Sequence, residues 1–377
     1  MSHVVLQPGL GNISPGHYLP ATPQNVLWGR LPCAADAAVL SIGSGDVVTI
    51  DTLSHEGLLE DQGRDPLAFF AGHGVAAEDV LTDAVALAAS AYPRDAEADG
   101  PHVVTGPIEV RGALPGDLLR MTLLEATPRV PYGVISSRHG RGALPGEYPV
   151  AAGTVSVFSE VETDLDFEGS ADSPDGGADS IGRALFGTLP LVPGGETVVR
   201  FPLDPFLGIM GVAVSGDTRP HSVPPGAHGG NLDISLLTAG SALYLPVQVP
   251  GALAYVGDPH FAQGDGEVAL TALEASLRVR IRFDIIPAAE AEALFGSITG
   301  PLAETGDYLV PTGLDPDLNE ALRACVRSAI ALLGARYGMD RSLAYAYLSA
   351  ATDFTISQVV DRVTGVHARI RTADFGG

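Results

Sequence analysis

Residues 277–286 read LRVRIRFDII. Leu277, Val279, Ile281, Phe283 and Ile285 fall on one side of this run, and Arg278, Arg280 and Arg282 on the other. That period of two suits a half-buried strand and no helix. Outward from it, the pattern stays strand-like for most of the chain. Residues 37–51, AAVLSIGSGDVVTID, read as a strand pair about a Gly-Ser-Gly-Asp turn. Ile108 to Val110 and Leu118 to Leu124 flank an Ala-Leu-Pro-Gly-Asp turn and suggest a second antiparallel pair. Thr197 to Val214 reads as two strands around a proline-rich bend. Glu78 to Tyr92 has the apolar spacing of an amphipathic helix. After residue 286 helices dominate: Pro287 opens AAEAEALFG, and Asp315 with Pro316 has the form of an N-cap and first turn. Leu318, Leu322, Val326, Ile330 and Leu333 then form a stripe, and Asp340 caps RSLAYAYLSAA.

These segments predict an α+β fold, predominantly β, with a strand-rich sandwich or barrel-like core and helices concentrated toward the C-terminus. A chain of 377 residues allows two units. The loop-like ADSPDGGA at 171–178 marks a soft boundary or insertion. The expected division is a β-rich unit over 1–200 and an α+β unit over 201–377, sharing one site. Gly (46) and Pro (29) are abundant and only 18% of residues are charged, a composition for short strands and tight turns.

The formal charge of −24 repels phosphate backbones and anionic lipid, so nucleic-acid and membrane partners are not expected. Lysine is absent, which removes Schiff-base chemistry, a lysine general base and the P-loop lysine. Cys33 and Cys325 are the two cysteines; they form no CxxC zinc motif, and a reducing cytoplasm is the expected compartment. The first residues, MSHVVLQPGLGN, have no basic segment followed by an apolar one, and no apolar run is long enough for a bilayer. There is no GxSxG elbow, although GVAVSG at 211–216 puts a serine near a strand end. HExxH, Walker A and the full dinucleotide fingerprint are missing too.

The chemistry concentrates in residues 228–268, HGGNLDISLLTAGSALYLPVQVPGALAYVGDPHFAQGDGEV. Two glycine-spaced polar clusters, HGGNLD and DPHFAQGDGE, flank an apolar run, and such groups are costly to bury without a ligand. Asn231 and Asp233 alternate on an extended segment and so share a face. His228 precedes a Gly-Gly that lets backbone approach a ligand. His260, Gln263, Asp265 and Glu267 follow in the second cluster. Imidazole and carboxylate make a divalent-metal donor set, zinc first, while a further carboxylate can deprotonate a water. Gly-Asp and Asp-Gly are also ordinary turn dipeptides, so the density of the pair of clusters carries the argument. A second constellation, Asp51, His55, Glu56, Glu60 and Asp61, follows a strand; it reads equally as a source of distant metal ligands and as a solvated acidic loop. His73, His102 and His221 are left open. His3, His17, His139 and His367 are expected at the surface.

TGPIEVRGALPGDLL, PLDPFLGIMGVA, HGGNLDI, LYLPVQVPGALAYVGDPHFAQGDGEV and LAYAYLSAATDFTISQVVDRVTGVHARI together resemble the acetamidase/formamidase family, in the order that family has. The resemblance implies hydrolysis of a short linear amide to a carboxylic acid and ammonia, a largely β architecture, a homo-oligomer and, in some relatives, a metal, usually zinc. By position it carries over Asn231, Asp233, His260, Gln263, Asp265 and Glu267. Leu27, in NVLWG, stands where many relatives carry a histidine, and His55 is the candidate substitute. The expected site therefore has Asp233 and His260 as metal ligands, completed by Asp51 or His55. Glu267 is the general base, with Asp265, Asn231 and Gln263 beside it. Two alternatives stand next to this one: a metal-free Glu267–Asp265 pair sharing a proton, and a non-catalytic protein that binds small amides.

Overall fold

The computed structural model describes residues 5–11, 13, 16–164 and 184–376. The 171–178 loop and His3 lie outside them. The fold is α+β and strand-rich, with 36% of residues in strands and 18% helical, and its sheets are mixed without closing into a barrel. Among the described residues, no helix is long and apolar enough to cross a membrane.

Leu277–Ile286 is a central strand of a nine-stranded sheet, between Val47–Asp51 and Leu118–Pro128, antiparallel to both. Beyond Leu118–Pro128 the sheet continues through Ala242–Pro246, Leu302–Glu304, Tyr308–Asp315, Thr364–Arg371 and Asp353–Gln358. The second sheet, of eleven strands, is built around Ala254–Ala262, flanked by Phe206–Gly211 and Val103–Val110. Leu277, Val279, Ile281 and Phe283 from one sheet and Leu207, Val256 and Phe261 from the other meet in a single buried core. Strands from both sides of residue 200 interleave in both sheets.

Both expected hairpins are corrected. Leu40–Ile42 and Val47–Asp51 are strands, yet the first pairs with Val103–Val110 and the second with Leu277–Ile286. Val103–Val110 and Leu118–Pro128 likewise part into different sheets. A turn signal fixes a reversal of the chain but not a ladder, and burial between two sheets decided the partners. The helix expected over 78–92 shortens to Thr82–Ala89.

Downstream, Asp317 rather than Asp315 caps helix Leu318–Tyr337, accepting bonds from the Asn319 and Glu320 amides at 2.8 and 3.2 Å. The buried face of this helix is Ala321, Cys325, Ala329, Leu332 and Leu333, whereas Leu322 is 40% exposed. The reason is a close backbone approach. A Cβ at Gly313 would collide with the Ala321 carbonyl and the Cys325 amide, so only small residues fit between helix and strand. Asp340 caps Arg341–Ala351 as expected.

Candidate active site

Loops and strands of both sheets bring together side chains from seven parts of the chain. His55 follows strand Val47–Asp51, and His102 precedes Val103–Val110. Asp258 and His260 alternate on Ala254–Ala262, so both point the same way, and Glu274 is the register partner of His260. Asp233 and Glu267 follow strands on loops, and Asp361 comes from the loop after Asp353–Gln358. Three overlapping sets have ligand atoms within 4.8 Å of one another: Asp258, His260 and Glu274; Asp233, His260 and Glu267; and His55, His102 and Asp258. All are buried.

Backbone strain accompanies this convergence. Asp233 (φ +50°), Asp258 (φ +50°) and Glu267 (φ +48°) all adopt the left-handed conformation that L side chains avoid. Gly208 makes the space. A Cβ there would lie 2.5 Å from Asp233 Oδ1, 2.6 Å from Asp258 Oδ2 and 2.7 Å from His260 Cε1.

Gln263 fixes the tautomer of His260. Its Nε2 donates to the carbonyls of Asp233 (2.9 Å) and Ser357 (3.3 Å), which can only accept. Its Oε1 must therefore face His260 Nδ1 at 3.1 Å, and Nδ1 carries the proton. His260 Nε2, the other nitrogen, then faces Asp258 Oδ2 and Glu274 Oε1, each at 3.1 Å. A lone pair aimed at two carboxylates is repelled unless a proton or a cation lies between them. Without a bound cation the ring takes the proton: Glu274 and Asp258 overcome burial and raise its pKa well above the usual imidazole value.

His55 is held in the same manner. Its Nε2 is 3.3 Å from Glu56 Oε1, leaving Nδ1 toward Asp258 Oδ1 (3.7 Å) and Glu274 Oε2 (3.8 Å). Against burial, Asp258, Glu274 and Glu56 push its pKa up to about 10. Glu56 accepts from Ser136 Oγ at 2.5 Å and from Gln62, and these bonds with His55 keep its carboxyl below the usual range despite burial. His102 is the neutral member. Burial lowers it to about 4, and its Nδ1 lies 3.1 Å from Ser222 Oγ. Asp258 is held ionised against burial by the surrounding imidazoles, among which His260 and His55 carry the charge at neutral pH.

The other carboxyls move the opposite way. Asp233 is raised well above its ordinary value by burial, then by Glu267, Asp361 and Asp258. Glu267 is raised by burial and by Asp361, Asp258 and Glu274. Burial pushes Asp361 up to about 7. Among the described residues, neither oxygen of Asp233 nor Asn231 Oδ1 has a hydrogen-bond donor. Asn231 Nδ2 donates to Asp361 Oδ2 at 2.8 Å, so its free atom is an acceptor. Unpartnered buried atoms at this density match a site built for a divalent cation and a polar substrate.

Asp233, His260, Glu267 and His55 meet in this cluster, with Asn231 and Gln263 against it. Asp51 and Asp265 do not. Asp51 is bound by Arg278 at 2.6 and 3.1 Å and by Tyr18 Oη at 2.6 Å, because its strand register puts it directly opposite Arg278. Asp265 is exposed and accepts from Ser235 Oγ at 2.8 Å, one residue out of phase with the inward turn. The partner of Glu267 is therefore Asp233. The loop carrying His55 and Glu56 is buried rather than solvated, at 3% and 2% exposure. Leu27 packs with Leu31, Val104, Ile209 and Tyr255, an apolar environment with no role for a ligand. His228 is half-buried beside Gly226 and Gly230 and belongs to none of the three ligand sets. His367, expected at the surface, is wholly buried with Nδ1 2.9 Å from Ser357 Oγ.

Sequence reasoning left His102 open and assigned no role to Asp258, Glu274 or Asp361. Asp258 lay inside the second cluster, and Asp361 in the segment QVVDRVTG. Glu274, in TALEASL, carried no visible signal. Asp258, Glu267, Glu274 and Asp361 of the cluster, with Asn231, line a cleft of about 700 Å³ whose wall also carries Arg94, Arg138, Arg141 and Arg362.

Residues 216–370 match the family model described as the Acetamidase/Formamidase family. An acetamidase of Mycolicibacterium smegmatis is 32% identical over 251 residues, 56% of this chain and 60% of that protein. A formamidase of Methylophilus methylotrophus is 31% identical over 204 residues, 46% and 49% of the two. The chain thus spans about half to three-fifths of the curated relatives it matches. The crystal structure of an acetamidase from Bacillus halodurans superposes with a TM-score of 0.69 at 22% identity, covering 96% of this chain and all of that one, which shows a shared fold.

Proposed function

We propose that this chain, which belongs to the acetamidase/formamidase family, hydrolyses the C–N bond of a linear amide to a carboxylic acid and ammonia at the His260–Asp258–Glu274–Asp233–Glu267 cluster. The observation that supports the reading is His260, whose Nδ1 is engaged by Gln263 and whose Nε2 is thereby aimed between two carboxylates, at a point where either a proton or a cation is required. That donor set fits a divalent ion, with zinc first because imidazole and carboxylate are mixed. Asp258, His260 and Glu274, or Asp233, His260 and Glu267, would hold it. Such an ion would supply an acidic water and positive charge for the carbonyl oxygen.

The chain's own residues do the rest. With the ion held by Asp258, His260 and Glu274, Glu267, whose pKa burial and neighbouring carboxylates raise, can deliver a proton to the departing ammonia. Asp233, its neighbour, exchanges that proton within the pair. Asn231 Oδ1 is free to accept from the amide NH2 and so orient the leaving nitrogen. Gln263 and Glu56 hold the rings of His260 and His55.

The Asp233–Glu267 proximity also supports a metal-free reading in which the pair alone shares a proton. A reducing cytoplasm agrees with two separate, buried free cysteines. A homo-oligomer agrees with Val198 and Val199, 42% and 44% exposed on the outermost strand of the larger sheet. The test is ammonia release across an amide panel, with and without added zinc, for wild type, Glu267→Gln and His260→Ala. The expected result is turnover that falls at least about a hundredfold in each variant. Undiminished turnover in either variant would remove the cluster from the chemistry.

A further inference from the structure

The rim of the cleft carries more positive charge than an uncharged amide requires. Most of the described arginines of this acidic chain are already engaged in hydrogen bonds or ion pairs. At the rim, Arg94 is bound to Glu60 and Arg138 to Asp61 at 2.7 Å, and Asp99 is held by Arg30 at 2.6 Å. Arg141 and Arg362 differ. Both line the cleft, both are exposed, and neither side chain has a hydrogen-bond or ion-pair partner among the described residues. Among the described residues, Glu97 is the one acidic rim side chain without such a partner, so two unpaired guanidiniums face one unpaired carboxylate.

Their supporting backbone is built. Arg362 has φ +65°, a conformation costly for a long side chain. Gln358 holds it there, accepting from the Val360 and Asp361 amides at 2.9 and 3.1 Å and donating to the Val363 carbonyl at 2.6 Å. One tight loop thus sends Asp361 to the floor of the cleft and Arg362 to its mouth. The Arg141 loop is tied to the Glu267 loop by the Ala143 amide, which donates to the Val268 carbonyl at 2.8 Å. Burial depresses the pKa of His221, another cleft residue, and Arg362, Arg30 and Arg141 lower it further.

Size gives an independent argument. Acetamide has four heavy atoms and fills the space of two or three waters, at about 30 Å³ each. A cleft of about 700 Å³ lies within the range used for much larger ligands, roughly 300–1,000 Å³.

We propose that Arg141 and Arg362 form a subsite for a carboxylate on the substrate, so that the preferred amide is an ω-amido acid rather than an uncharged one. This rests on the amide-hydrolase reading. The primary amide reaches the carboxylate- and histidine-lined floor, and the anionic end stays at the mouth, away from Asp233 and Glu267. A guanidinium offers the planar fork that binds carboxylate. The product is a dicarboxylate, released with ammonia.

The test has two arms. In the first, kcat/KM is measured for succinamate and for butyramide, an uncharged amide of the same chain length, in wild type, Arg141→Gln, Arg362→Gln and the double variant. Wild type should favour succinamate at least tenfold, chiefly through KM, and the double variant should lose that preference. In the second, succinate binding is followed by thermal shift at low and high salt, a readout that needs no turnover. Binding should be saturable, salt-sensitive and abolished in the double variant. A wild type that favours butyramide, or a double variant that keeps its preference, overturns the subsite. Should no amide be hydrolysed, the functional reading fails, while the succinate arm still decides the subsite: absence of binding, or binding that survives both substitutions, overturns it.

Discussion

Gly208→Ala is the sharpest perturbation available, because it adds one methyl group at the centre of the cluster. Gly208 sits on strand Phe206–Gly211 with an ordinary backbone conformation, so alanine brings no φ penalty. Its Cβ would stand 2.5 Å from Asp233 Oδ1, 2.6 Å from Asp258 Oδ2 and 2.7 Å from His260 Cε1. Ordinary contact begins near 3.4 Å, so these three groups must retreat by 3.4 − 2.5 = 0.9, 3.4 − 2.6 = 0.8 and 3.4 − 2.7 = 0.7 Å. Overpacking of this kind costs about 1–3 kcal/mol of stability. A displacement approaching 1 Å in groups that position a reaction costs on the order of a hundredfold in rate. Gly211→Ala, on the same strand, is the control: its methyl would press on the Tyr255 ring and touch no cluster carboxylate. Thermal melting and ammonia release, both read below each variant's melting temperature, separate the two effects. Gly208→Ala should remain folded and lose about two orders of magnitude of turnover, whereas Gly211→Ala should lose stability with much less effect on turnover. A folded Gly208→Ala enzyme with wild-type kinetics would refute the placement of the site.

Three further outcomes follow from the same geometry. Gln263→Leu removes the acceptor that fixes the His260 tautomer, and should cost about 10–100-fold in activity or metal affinity with the fold retained, as circular dichroism and steady-state kinetics will report. Asp51→Asn breaks a buried ion pair with Arg278 and should cost about 3–5 kcal/mol in urea unfolding, with the folded fraction still active; a stable but inactive variant would return Asp51 to the site. The pKa values of His102, His228 and His367 are lowered to about 4 by burial, so between there and the unfolded value near 6.5 each of these rings binds a proton more readily in the unfolded chain, opposite in sign to the raised Asp233, Glu267 and Asp361. Each of the three should therefore take stability away as pH drops from about 6.5 to about 4, so His228→Gln should lose less stability than wild type across this window; a difference between the two proteins that does not change with pH would contradict a neutral His228 in the folded chain.

Much of the architecture was legible because it depends on local periodicity. LRVRIRFDII is a strand over the residues its alternation predicts, and Asp340 caps the last helix as its spacing indicates. Strand partners were not legible, since Val47–Asp51 and Leu40–Ile42 separate into two sheets for reasons of packing that lie far away in sequence. In helix Leu318–Tyr337 the leucine stripe misled for a related reason, because contact with Gly313 favours alanine and cysteine over larger side chains. At the site, the two glycine-spaced clusters announced Asp233, His260 and Glu267 by their density. Asp51 and Asp265 look as good on paper, and only register and loop phase turn one toward Arg278 and the other toward solvent. Glu274 enters the cluster solely through its pairing with His260, a relation between strands that no motif encodes.

The central claim is that the cluster around His260 hydrolyses amides with a bound divalent ion. Its most direct test is ammonia release from an amide panel by protein whose metal content is counted before chelation, after chelation and after reloading. The account predicts a stoichiometric divalent ion whose removal abolishes ammonia release and whose return restores it. Full turnover by verified metal-free protein, or no ammonia from any amide by the fully loaded protein, would contradict it.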